Sequence, residues 1–394
     1  MQQTTLPPLR LAGKEVLPIV QGGMGVGVSA HRLAGSVAAC NAVGTISSVD
    51  LRRHHPDLMA RTTGLADAAE AKAAIDAANL EALDREIRAA RALAQGRGLL
   101  AVNVMRALTA YAPYVRQACA SGIDAVVVGA GLPLDLPELT ADFPKVALVP
   151  ILSDARGIAL ILKKWERKGR LPDAIVIEHP RLAGGHLGAA RIGDLNDPRF
   201  DFERVIPESL ALLRAMGAEG RVPLIPAGGI DTPRRVRELF ALGAAAVQLG
   251  TAFAVTEECD ADPAFKQVLA AARPEDLVEF MSVAGLPARA VRTPWLARYL
   301  EVADRLQAKV AARGKPRAGC QMKFDCLTQC GLRDGLPQAG QFCIDFQLGR
   351  ALQGDTEHGL YFRGAGRLPF GTQIRPVREL IAHMLGEPAA LPAT

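Results

Sequence analysis

The stretch VPLIPAGGIDTPRRVRELFALGAAAVQLGTAF, residues 222–253, decides the fold. It opens on a short apolar run that stops at two glycines, Gly228 and Gly229. Thr232 then reads as a helix N-cap and Pro233 as the first helical residue. TPRRVRELFALGA has the composition and length of a helix. A second apolar run follows and stops near Gly250 and Thr251. The whole stretch is one strand-helix-strand unit. Neither run alternates apolar with polar residues. Near-continuous Val, Ile, Leu and Ala is how a strand covered on both faces reads, and such strands belong to parallel sheets.

Six runs of the same kind precede this unit. They are LPIVQGG (17–23), VGTISS (43–48), LLAVNVM (99–105), AVVVGAG (125–131), KVALVPIL (145–152) and AIVIEHP (174–180). Ala-, Leu-, Arg- and Glu-rich stretches of helical length lie between them. Eight such units in roughly 240 residues predict a closed (β/α)8 TIM barrel. A length of 394 residues would otherwise suggest two or three domains. The barrel is expected over 8–256, with a helical insertion after strand 2 at 49–98, either a hairpin on the rim or a lid. A helical cover is expected over 257–315 and a four-cysteine subdomain over 316–394, so the C-terminal extension is helical and cysteine-containing. The text LVEFMSVAGLPARAVRTPWLARYLEVADRLQAKVAAR reads as helix throughout.

Composition narrows the function. Apolar residues are 49% of the chain and charged residues 22%, which excludes global disorder. Aromatics are only 5%, so base stacking has little material and no nucleic-acid partner is expected. The net charge of +5 is mild and spread along the chain. No apolar run is long enough for a membrane span, and the N-terminus lacks a signal-peptide layout. Seven cysteines, an odd number, fit a reducing compartment, so a cytoplasmic protein is expected.

In a barrel the active site forms at the C-terminal ends of the strands. The residues ending each run are therefore the candidates. Gly228, Gly229, Gly250 and Thr251, after strands seven and eight, read as a phosphate cradle, because backbone N–H groups approach an anion closely where no Cβ intervenes. His186 stands in LAGGHLG, in the loop after strand six. Its glycine frame, including Gly185, allows a flat ligand to approach and leaves the imidazole projecting. Its ordinary pKa suits proton transfer near neutrality, so it is the catalytic candidate. His179 precedes Pro180 and reads as a strand-end residue.

PIVQGGMG, VNVM, LAGGHLG, IPAGGI and VQLGTAF, in this order, resemble the nitronate monooxygenase (2-nitropropane dioxygenase-like) family of FMN-dependent TIM-barrel oxidoreductases. The resemblance implies FMN with its phosphate at Gly228, Gly229, Gly250 and Thr251. It implies Gly22, Gly23, Met24, Asn103 and Gln248 around the isoalloxazine ring, with Gly129 and Gly185 on the same site. His186 matches the family's histidine, used as base or proton donor. Backbone N–H groups near Gly22–Met24 would stabilise the reduced ring. Two positions depart from the pattern: Leu182 replaces the usual acidic residue before AGGH, and Ala252 stands where an Arg is common. The implied activity is oxidation of a nitronate or related small molecule. An NAD(P)H-dependent ene-, enoyl- or quinone reductase on the same scaffold is the second reading, and a non-catalytic flavin- or phosphate-ligand-binding barrel the third. No dinucleotide fingerprint is present, so NAD(P)H would bind over the flavin face. Apolar helices in the C-terminal third suit a homodimer.

Four of the seven cysteines, Cys320, Cys326, Cys330 and Cys343, fall within 24 residues. Cys326 and Cys330 would share one face of a helix. Four thiolates suit a [4Fe–4S] cluster, which could relay electrons to a flavin, or a tetrahedral zinc. The spacing matches neither standard pattern, and unliganded thiols are the third option. The tail, with FCI and GLYFRGAG, also resembles a longer, cysteine-bearing branch of the same family. Cys40, Cys119 and Cys259 are assigned no role.

Overall fold

Eight parallel strands close into a barrel in this computed structural model, which describes residues 6–313 and 326–387. Two short strands, β1 (Leu9–Leu11) and β2 (Lys14–Val16), form an antiparallel hairpin ahead of it. The barrel strands are β3 (Ile19–Gln21), β4 (Val43–Ser47), β5 (Leu99–Met105), β6 (Ala125–Gly129), β7 (Ala147–Leu152), β8 (Ile175–Glu178), β10 (Leu224–Ala227) and β11 (Val247–Leu249). A two-residue strand, β9 (Gly185–His186), interrupts the series and lies outside the barrel. Each expected apolar run supplies one barrel strand.

Period-two alternation divides each strand between two cores. Val20, Val43, Ala101, Val127, Val149, Val176, Ile225 and Ala246 fill the lumen. Ile19, Ile46, Val102, Val126, Leu148, Ile177, Leu224 and Val247 pack outward under the helices. The hairpin places Leu9, Leu11 and Val16 in the lumen cluster and so closes the lower end.

Residues 49–98 join the helical layer. The helix Ala68–Ala94, capped by the Asp67 carboxylate on the Glu70 N–H, buries Ala78, Ala82, Leu83, Ile87 and Ala90 in the same core as the helix His31–Ala39. It acts as the return helix between β4 and β5. The Thr232 cap forms as the sequence suggests, its Oγ1 accepting the Arg235 N–H at 3.2 Å.

The extension corrects the expectation of continuous helix. LVEFM and PARAV are strands β12 (Leu277–Met281) and β13 (Pro287–Val291), an antiparallel pair turning at Ser282–Leu286. β9 pairs with β13, placing Ala288 opposite His186 and Arg289 opposite Gly185. Pairing across so many residues overrides local propensity. Helices follow at Pro294–Arg313, Gly331–Asp334, Ile344–Leu352 and Val377–Met384. Among the described residues, no helix is long and apolar enough to cross a membrane.

Two buried ion clusters bind these parts together. Arg53 bridges Asp50, at 2.6 Å, to Asp345 at the start of the helix Ile344–Leu352, at 2.7 Å. Glu86, on the long helix, faces His31 Nδ1 at 2.7 Å and His55 Nε2 at 3.0 Å. The Glu86 bond raises His31 above its ordinary 6.5, against desolvation. Burial alone would raise Glu86, but the two histidines hold it down at about 2. The His31 contribution is complete below pH 6.5 and fades as pH rises through the elevated value. The Glu86 contribution fades as pH falls from 4.5 toward 2. Glu86→Gln is therefore expected to lower unfolding stability by about 1–3 kcal/mol near pH 6. Denaturant titrations of both proteins should show that difference shrink at pH 9 and at pH 3.

Candidate active site

The inward positions at the C-terminal ends of the strands open into one cavity of about 330 Å³. That lies in the range of small-molecule and cofactor sites, about 300–1,000 Å³. Gly22, Gly23, Met24, Asn103, Gly129, Gly185, His186, Gly228, Gly229, Gln248, Gly250 and Thr251 all line it. Every barrel residue singled out in the sequence thus meets in one place.

Close approach explains several of the glycines. A Cβ on Gly23 would collide with the Asn103 side chain, and one on Gly22 would stand 3.3 Å from Gln248. Gly229 has φ +66°, and a Cβ there would lie 2.7 Å from Leu182 Cδ1. Not every backbone donor expected near the ring is available. Gly22 N–H donates to Leu249 O at 2.9 Å and Met24 N–H to Ser29 Oγ at 2.9 Å. Of the three, only Gly23 N–H has no acceptor among the described residues.

His186 is fixed by the β12–β13 hairpin. Its Nε2 lies 2.9 Å from Ser282 Oγ, in the β12–β13 turn. Ser282 Oγ also accepts the Ala284 N–H at 3.2 Å. The serine orients the ring and can either donate to it or accept from it. Phe362 leans against the imidazole, ring centroids 5.8 Å apart. Burial lowers His186 to about 4, so the ring is neutral at neutral pH. His179 stays out of the cavity. It is buried against Phe202, with Nε2 3.3 Å from Asp201.

Sequence reasoning missed polar residues of the wall, Glu178 and Arg367 among them, and it missed Ser282, which stands behind His186. Glu178 was legible, being the inward partner of Val176 at the end of AIVIE. Ser282 was hidden by the helical reading of its segment. Arg367 comes from the tail segment LYFRGAGRL, which crosses directly over the site. There Gly364 N–H donates to Thr251 Oγ1 and Ala365 N–H to Leu182 O, both at 3.0 Å. A Cβ on Gly184 would overlap Gly364 N, and one on Gly366 would lie 3.3 Å from Gly229 Cα. Phe362, Gly364, Gly366, Arg367 and Leu368 complete that wall.

The cysteine expectation fares differently. Cys320 lies outside the described residues. Cys326 lines the cavity, while Cys330 and Cys343 precede the helices Gly331–Asp334 and Ile344–Leu352. Cys326 and Cys330 do not share a helix face, because 326–330 is not helical. Among the described residues, no three His, Cys, Asp or Glu side chains gather as metal ligands. The iron–sulfur and zinc expectations therefore find no support there.

A family profile described as Nitronate monooxygenase matches residues 10–387, nearly the whole chain. The chain belongs to the nitronate monooxygenase family. A nitronate monooxygenase of Pseudomonas aeruginosa is 35% identical over 119 residues, 30% of this chain and 31% of that protein. A probable nitronate monooxygenase of Staphylococcus saprophyticus is 28% identical over 132 residues, 34% of this chain and 36% of that one. The matched segments thus span about a third of each curated relative. The FabK structure from Thermotoga maritima superposes with TM-score 0.63 at 22% identity, covering 94% of this chain and 91% of that one. The nitroalkane oxidase structure from Streptomyces ansochromogenes gives 0.60 at 18% identity, covering 94% and 95%. These two likenesses concern the fold. Membership of the nitronate monooxygenase family implies an oxidoreductase with a flavin cofactor.

The cavity fits such a group. It has glycine-lined walls at the ends of β10 and β11, a Gly23 N–H without an acceptor among the described residues, and an exposed Arg367 at the glycine end. Gly229→Ala tests the cradle. The positive φ and the Leu182 contact predict a shift of the 228–230 turn and at least a tenfold weaker hold on FMN. Fluorescence titration of the stripped protein with FMN measures it.

Proposed function

We propose that this protein is an FMN-dependent nitronate monooxygenase. The observation that carries the reading is the meeting of His186, locked by Ser282, with the glycine cradle in one cavity at the barrel mouth. Gly228, Gly229, Gly250 and Thr251 would hold the FMN phosphate. The Thr251 hydroxyl accepts from Gly364, which leaves its own proton to donate. Arg367 would balance the phosphate charge from the tail, on a site where Ala252 offers no cation. Gly22, Gly23, Met24, Asn103, Gly129, Gly185 and Gln248 would surround the ring, with Gly23 N–H as donor. The flavin, when bound, supplies the electron-accepting chemistry.

The remaining steps belong to the protein. A neutral His186 with a value near 4 is a weak base, so at neutral pH it serves as a hydrogen-bond partner for the substrate's nitro oxygens. Ser282 keeps the ring aimed. Phe362, Leu182 and Leu348 exclude water around the reacting carbon.

Nitronate-dependent oxygen uptake by FMN-loaded protein tests the reading. His186→Ala is expected to keep its flavin spectrum and lose about a hundredfold or more in kcat/KM. Full activity in that variant would refute the assignment. Flavin bleaching by NAD(P)H without nitronate would favour the reductase, and inertness toward both would favour a binding barrel. Arg367→Ala is expected to weaken FMN binding by about tenfold, read as the flavin fraction lost on gel filtration.

A further inference from the structure

Glu178 is a carboxyl group in the cavity that the steps above leave unused. Val176 and Glu178 occupy the lumen side of β8, while Ile175 and Ile177 face the helices. Its backbone pairs with Ala227, immediately before Gly228. The Glu178 carboxylate makes no hydrogen bond or ion pair with any described residue. The other titratable groups on the cavity wall are His186, Asp231, Asp345, Arg367 and Cys326. His186 is engaged by Ser282 and Asp345 by Arg53. Gly188, two residues after His186, leaves the carboxylate uncovered on that side. A Cβ there would lie 3.7 Å from Oε2 and collide with Ser153 Oγ.

An unpaired carboxylate at such a site is poorly solvated. Burial pushes Glu178 up to about 7 and His186 down to about 4. The carboxylate, not the imidazole, is then the stronger base. Environments that push two groups apart in this way mark acid–base assignments.

We infer that Glu178, rather than His186, takes the proton when the substrate enters as the neutral carbon acid, a nitroalkane, instead of its nitronate. The inference rests on the nitronate reading above. In this step the Cα–H bond breaks and its electron pair stays with the substrate, spreading onto the nitro oxygens. The proton goes to a Glu178 carboxylate oxygen. One negative charge moves from protein to substrate, and no electron leaves the pair. The product is the nitronate, lying beside a now neutral carboxyl that no longer repels it.

Exchange of the α-proton of 2-nitropropane in D2O, followed anaerobically by proton NMR with FMN-loaded protein, isolates this step from oxidation. Wild-type exchange should exceed the buffer rate and rise with pH through about 7 as the carboxyl ionises. Glu178→Gln should keep its flavin spectrum, lose that pH-dependent rise and exchange about a hundredfold more slowly. Glu178→Asp should restore part of the rate. The ratio of nitroalkane to nitronate turnover should fall in parallel in Glu178→Gln. Exchange at the wild-type rate in Glu178→Gln, or exchange lost in His186→Ala alone, overturns the inference. Wild-type protein that oxidises the nitronate but exchanges no nitroalkane proton also overturns it, while leaving the nitronate reading intact. Wild-type protein that oxidises no nitronate overturns that reading and this inference with it.

Discussion

Closure of the barrel governs everything else in this chain. Once eight parallel strands pair in a ring, every second side chain must point into a lumen only wide enough for its own lining. Val20, Val43, Ala101, Val127, Val149, Val176, Ile225 and Ala246 fill it. No ligand can enter there. Chemistry is left to the last inward position of each strand, where the lumen ends and the loops begin. Met105, Glu178 and Gln248 hold such positions, Asn103 stands one inward step before Met105, and glycines hold others.

The mouth alone is not a site, because it lacks walls. Those walls come from the extension, and they reach the barrel through backbone contacts that only glycine permits. Gly184 lets the chain at Gly364 pass directly over the loop that carries His186, and Gly366 rests on Gly229. The imidazole takes its orientation from a serine on a hairpin that has no counterpart in the repeating unit. Arg53 and Asp345 anchor the same extension to the loop after β4. Barrel and tail therefore share one site.

The sequence showed the barrel clearly, because burial on both faces writes a strand in an unmistakable alphabet. It also showed the glycines and His186, because strand ends are where this architecture puts function. It did not show β12 and β13. Their residues suit helix and strand alike, and what decides between them is pairing with Gly185 and His186, about a hundred residues earlier in the chain. Glu178 stood in plain view at the end of AIVIE, but a carboxyl there acquires meaning only once the fold shows that none of the described residues pairs with it. Met24 shows the converse: its N–H looked available until folding gave it to Ser29.

The strap at residues 362–368 has a consequence for how the protein comes into being. During synthesis the barrel strands are all present once β11 has left the ribosome, while the rest is still being made. The cavity then lacks one side until the strap emerges more than a hundred residues later. The order of synthesis thus puts the barrel's strands first and the wall that completes its mouth last, and the extension also supplies Leu360, Val377, Leu380 and Ile381 to the barrel's outer core.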